Sequence, residues 1–134
     1  MANVKEVEGI GPSYAEKLKT VGIVTTSSLL AQGSTAQDRK KIAESTGING
    51  DMLLRWVNHA DLIRIKGIGP EYAELLEAAG VDSVPELAQR VPQNLHQKML
   101  ECNAEKKLVR RPPALSMVTS WVKQAQKLPR VITY

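Results

Sequence analysis

Apolar residues in this chain recur every three or four positions, and no stretch alternates with period two for long enough to make a strand. Met52, Leu53, Trp56, Val57, Ala60 and Ile63 trace one helical face. Leu115, Val118, Trp121, Val122 and Ala125 trace another, and Leu95, Met99 and Leu100 a third. Proline and glycine punctuate the pattern. Pro12 and Pro70 fit the first position of a helix, where a missing N–H costs nothing. These signals predict helices over 12–20 and 70–79, with Gly22 and Gly80 as left-handed caps at their ends. Thr25 or Thr26 starts the next short helix. Ser83-Val84-Pro85-Glu86 is a capping box that opens its counterpart, and Ser34-Thr35-Ala36-Gln37 is another box, opening a helix that ends near Gly47. Asn49 or Gly50 begins a long helix, predicted to run over 51–65. Pro92 opens one more, and Pro112-Pro113 separates it from the last. The tail 128–134 is extended at Pro129 and either packs or frays.

The order of these elements repeats. Gly9-Ile10-Gly11-Pro12-Ser13-Tyr14-Ala15 returns 58 positions later as Gly67-Ile68-Gly69-Pro70-Glu71-Tyr72-Ala73. Leu18, Gly22, Ile23 and Leu29 return as Leu76, Gly80, Val81 and Leu87. Trp56-Val57-Asn58-His59-Ala60 parallels Trp121-Val122-Lys123-Gln124-Ala125 at an offset of 65, which places seven extra residues near 109–114. The chain therefore consists of two copies of one unit, divided as residues 1–64 and 65–134. Each copy is too small to bury much surface alone, so the two are expected to pack into one compact particle.

Charge breaks the symmetry. The whole chain carries +4. Residues 98–130 hold eight cations against Glu101 and Glu105, a net +6, whereas residues 65–97 hold two against five acids, a net −3. Lys106, Lys107, Arg110 and Arg111 form the densest basic run, which reads either as a solvated turn or as a phosphate-backbone contact. Arg39-Lys40-Lys41 reads as a second basic spot on an exposed helix face. No apolar run reaches the roughly 20 residues needed to cross a bilayer. The single cysteine, Cys102, excludes an internal disulfide, and residues 1–8 lack an apolar signal segment; both point to the cytoplasm.

Each Gly-Ile-Gly turn precedes a helix, whose free first amides form a receptor for phosphate. The bland reading of the turn is a tight helix connection that needs positive φ. Ile10 and Ile68 read as core plugs, Tyr14 and Tyr72 as packing residues with rim hydroxyls, and Trp56 and Trp121 as core. His59, His96 and Cys102 have no metal-ligand spacing, and no Walker loop, nucleophile elbow or carboxylate pair occurs. The sequence is thus read as non-enzymatic, with no catalytic residue, metal or cofactor.

Residues 65–76 and their continuation Ala79-Gly80-Val81-Asp82-Ser83-Val84-Pro85-Glu86-Leu87 resemble the helix-hairpin-helix motif of DNA repair and recombination proteins. The whole chain resembles a bacterial domain-of-unknown-function family of duplicated helix-hairpin-helix proteins. That resemblance implies an all-α fold of two tandem paired helix-hairpin-helix (SAM-like) units. It also implies sequence-nonspecific contact with the double-stranded DNA backbone through Gly9, Ile10, Gly11, Gly67, Ile68 and Gly69. Side chains of Lys66, Lys106, Lys107, Arg110 and Arg111 would assist. Glu6 and Glu8 beside the first turn, and Glu71, Glu74 and Glu77 after the second, run against this pattern. They motivate the alternative of a protein-interaction or self-association module, with the acidic helix of one chain meeting the basic segment of another to form a homo-oligomer.

Overall fold

A computed structural model describes residues 3–134. A short 3-10 turn, Val4–Glu6, precedes eight α-helices: α1 (Pro12–Lys19), α2 (Thr26–Gln32), α3 (Ala36–Thr46), α4 (Gly50–Ile63), α5 (Pro70–Ala78), α6 (Val84–Ala88), α7 (Pro92–Lys106) and α8 (Leu115–Lys127). The described residues contain no strand, only one backbone bridge between Asn3 and Thr25. The protein is all-α, as its periodicity requires.

Two units form. One takes the chain up to Asp61 together with Val131–Tyr134; the other is Leu62–Arg130. The division falls inside α4, and the last four residues belong to the first unit.

The helix ends follow from local chemistry. Gly11 and Gly69 precede Pro12 and Pro70 and bring no side chain to the caps of α1 and α5. Ile23 N–H donates to Leu18 O at 3.0 Å and Gly22 N–H to Lys19 O at 3.0 Å, a Schellman closure with Gly22 at φ +80. Val81 and Gly80 repeat it after α5, with Gly80 at φ +93. Thr25 caps α2 and exchanges bonds with Ser28. Ser83 accepts from the Glu86 N–H at the start of α6, and Asn49 Oδ1 accepts from the Asp51 N–H at 2.8 Å. The cap of α3 is Thr35 rather than Ser34, because the Thr35 hydroxyl accepts from the Asp38 N–H at 3.1 Å.

Each unit closes over its own apolar set. Leu18, Ile23, Leu29, Leu53, Trp56 and Val57 are buried in the first. In the second, Leu75, Leu76, Val81, Leu87, Leu95, Met99, Val118 and Trp121 form a continuous cluster. Tyr14 meets Trp56 edge-on, with ring centres 5.1 Å apart, and Tyr72 meets Trp121 at 5.3 Å. The second copy gains length in two places and loses two residues in α6, which has 5 residues where α2 has 7. α7 has 15 residues where α3 has 11, and the connection 107–114 replaces the shorter 47–49.

The tail packs. Thr133 N–H donates to Ser34 O at 2.7 Å, and Ile132 is buried. The Tyr134 hydroxyl donates to Asn58 Oδ1 at 3.1 Å. Arg39 ties this together, donating to Gly33 O and to Thr133 O, each at 2.8 Å. Its guanidinium is buried and leaves the basic spot expected at 39–41 to Lys40 and Lys41, which stay exposed. Burial draws the Arg39 pKa below its ordinary value, with the Tyr134 charge acting the other way.

Candidate nucleic-acid interface

The two glycines of each turn have different jobs. Gly9 and Gly67 hold φ +92 and +102, in the region that side chains avoid. A Cβ on Gly67 would stand 2.8 Å from Trp121 Nε1, and one on Gly9 3.2 Å from Trp56 Nε1. Gly11 and Gly69 are extended, at φ −83 and −99. A Cβ on either meets nothing within 4 Å. Neither conformation nor packing asks for glycine there, and its effect is to leave the helix start bare.

The middle residue of each turn is a plug. Ile10 and Ile68 are buried, and their amides donate to Val7 O and Ile65 O, each at 3.1 Å. Those two N–H groups are therefore committed inside the turns and are not open to a ligand. The Gly9, Gly11, Gly67 and Gly69 N–H groups have no acceptor among the described residues. Beyond them, the amides at 13, 14, 71 and 72 lie in first helical turns, ahead of the first closed bonds, Ala15 N–H to Gly11 O and Ala73 N–H to Gly69 O.

What surrounds the two turns differs sharply. At the second, Gln124 of α8 grips the Lys66 peptide from both sides: Lys66 N–H donates to Gln124 Oε1 at 3.0 Å, and Gln124 Nε2 donates to Lys66 O at 3.1 Å. Lys66 itself is exposed. The Tyr72 hydroxyl, in the first turn of α5, donates to Arg111 O at 3.0 Å and brings the basic connection 107–114 to that helix start. Two further clamps hold the connection. Asn103 exchanges bonds with the Val109 peptide at 2.9 and 3.1 Å, and His96 Nε2 lies 2.9 Å from Pro113 O.

Lys106 ends α7, and Lys107 caps it with a left-handed backbone at φ +52. The side chains of Lys106, Lys107, Arg110 and Arg111 are exposed and make no hydrogen bond or ion pair among the described residues. Glu71, Asn103, Lys107, Leu108, Val109, Arg110 and Pro112 line an open hollow of about 590 Å³. The acid that the sequence sets against phosphate binding thus shares its hollow with two cations.

Among the described residues, the first turn lacks these clamps. Glu6 and Glu8 are exposed beside it, Lys17 lies 5.5 Å from the Tyr14 ring centre, and the connection 47–49 carries no charge. Of the residues expected to form one contact surface, Lys107, Arg110 and Arg111 lie on the connection that Tyr72 ties to α5, the helix that follows Lys66, Gly67 and Gly69. Gly9 and Gly11 stand in a separate turn flanked by acids.

Gln124, Asn103 and His96 escaped the sequence reading as positioning residues, and Tyr72 was read only as packing. The one available signal was the repeat itself, since Gln124 falls where the first copy has His59, a fully buried residue. A second hollow, of about 370 Å³, lies along α8 and is lined by Ser116, Thr119, Ser120, Lys123, Gln124 and Lys127.

These features define an all-α protein with an internal duplication and one cation-rich turn. Residues 8–128 match the family described as Domain of unknown function (DUF4332), and the chain belongs to that family. No curated protein and no solved structure matches it. No helix among the described residues is long and apolar enough to cross a membrane.

Proposed function

We propose that this protein is a non-enzymatic helix-hairpin-helix protein that holds the backbone of double-stranded DNA without reading its sequence, and that the second unit makes the contact. The observation that carries this reading is the Tyr72–Arg111 bond. It ties the backbone of the segment that carries the exposed cations Lys107, Arg110 and Arg111 to the first turn of α5, the helix whose start has bare amides. Amides with a helix dipole behind them suit a phosphate oxygen, and nearby cations add the sequence-independent attraction that dominates such binding. No aromatic side chain interleaves the cations, which argues against stacking on single strands.

Self-association draws its appeal from an acidic α5 meeting a basic segment of another chain. Glu71 already shares a hollow with Lys107 and Arg110 of its own chain, and Glu74 and Glu77 are half-buried and engaged. Of these three acids only Glu71 is exposed, which leaves α5 little acidic surface to offer another chain and favours the nucleic-acid reading.

Anisotropy of a labelled random-sequence duplex, titrated with protein from about 20 to 200 mM salt, tests the proposal. The expected result is micromolar affinity at low salt and a steep log–log slope. Arg110→Ala with Arg111→Ala makes that slope shallower by about 1.8. Absence of binding at the lowest salt, with light scattering that shows dimers, would move the function to self-association.

A further inference from the structure

We infer that the outer face of α8 is a second phosphate track, which carries the same duplex backbone onward from the second turn. This rests on the nucleic-acid reading above and extends it to residues that the turn and the basic connection do not include. Ser116, Ser120 and Gln124 form one row at four-residue spacing, and Thr119, Lys123 and Lys127 form the row beside it. Together they line the hollow of about 370 Å³. The Ser116 and Ser120 hydroxyls and the two ammonium groups supply donors for phosphate oxygens.

The hollow is linked to the turn through one side chain. Gln124, one of its walls, is the side chain that grips the Lys66 peptide, and its Nε2 also donates to Ser120 Oγ at 3.2 Å. Accepting that bond leaves the Ser120 O–H able to donate outward. The Ser116 hydroxyl has no partner among the described residues, while Thr119 Oγ1 donates to Leu115 O at 2.9 Å. Lys123 and Lys127 are exposed and unpaired among the described residues. α8 contains no aspartate or glutamate, so nothing within the helix offsets its two lysines.

The first copy is an internal control. At the offset of 65, the positions of Ser116, Thr119, Ser120, Lys123, Gln124 and Lys127 are held by Asp51, Leu54, Arg55, Asn58, His59 and Leu62. The core positions between them keep their character, Trp56 with Trp121, Val57 with Val122 and Ala60 with Ala125. The fold therefore does not ask for hydroxyls and lysines on this face. Where the second copy has exposed Lys123, the first has buried Asn58, covered by Tyr134 of the tail. The first copy buries the later half of this face, at Asn58, His59 and Leu62, whereas the second leaves Lys123 and Lys127 exposed there.

The test compares three double variants with the unaltered protein in the duplex titration across salt. Lys123→Ala with Lys127→Ala is expected to weaken low-salt binding at least tenfold and to make the slope shallower by about 1.8, for two lost phosphate contacts. Lys40→Ala with Lys41→Ala removes the same charge from exposed positions on α3 and is expected to stay within twofold. Circular dichroism checks that the exposed substitutions leave the helices intact. If the α8 variant also stays within twofold while Arg110→Ala with Arg111→Ala weakens binding, the α8 track is overturned and the proposed function stands. Equal weakening by the α3 and α8 variants would reduce the effect to net charge and overturn the track as well. Failure of the unaltered protein to bind the duplex would overturn both.

Discussion

At the scale of single residues, the paired glycines separate folding from binding. Gly67→Ala forces a side chain into positive φ and against the Trp121 ring. Unfolding in urea should show a loss of about 3 kcal/mol. Gly69→Ala meets no neighbour and keeps an extended backbone, so it should cost only the N-cap difference between glycine and alanine, about 1 kcal/mol or less. Its new methyl would stand at the bare amides, and duplex affinity should fall severalfold. Lys107 makes a related case. It occupies a left-handed cap that glycine fills with less strain. Lys107→Gly should raise stability by roughly 0.5–1 kcal/mol while lowering duplex affinity. A parallel rise or fall of both quantities would show that the lysine is not kept for its charge. The repeat made both turns visible in the sequence, yet it did not distinguish first glycine from second. That distinction depends on an indole nitrogen more than forty residues away.

Among the elements, helix starts were the most legible. Pro12, Pro70 and Pro92 open α1, α5 and α7 at the expected positions, because proline's fixed φ and missing N–H suit only the first turn. The start of α3 moved one residue, since Ser34 and Thr35 have the same capping chemistry and only geometry selects between them. The connection 107–114 was legible as a break but not as a fixed object. Its clamps come from Tyr72, His96 and Asn103, which lie outside the segment and have ordinary helical roles in the sequence. Asn103→Ala removes both bonds to the Val109 peptide and leaves that peptide without its partner. A cost of about 2 kcal/mol in denaturant unfolding is expected, together with weaker duplex binding although no cation is lost. The affinity change is the informative part, because a passive solvated loop would show none.

For the whole molecule, duplication supplies the scaffold and divergence supplies the candidate site. Trp56 and Trp121 hold equivalent places in the two cores, and this was readable from the repeat. The fate of Arg39 was not, since its acceptor Thr133 O stands 94 residues further on. Local pattern made Arg39 part of an exposed basic face; a distant carbonyl made it a buried anchor. Removal of residues 131–134 should therefore destabilise the first unit by about 3 kcal/mol, through lost burial of Ile132 and an uncompensated guanidinium. Denaturant unfolding of the truncated chain checks this.

The tail's return to the first unit also sets an order of completion during synthesis. Residues 62–130 are contiguous and can close as soon as they emerge. The first unit is made first but lacks its final piece until the second has been translated, an interval of several seconds at roughly 5–20 residues per second. During that time Arg39 has Gly33 O but not Thr133 O, and Asn58 lies uncovered. The earlier half of the nascent chain is thus the later to mature, and it is the half more exposed to chaperones and proteases.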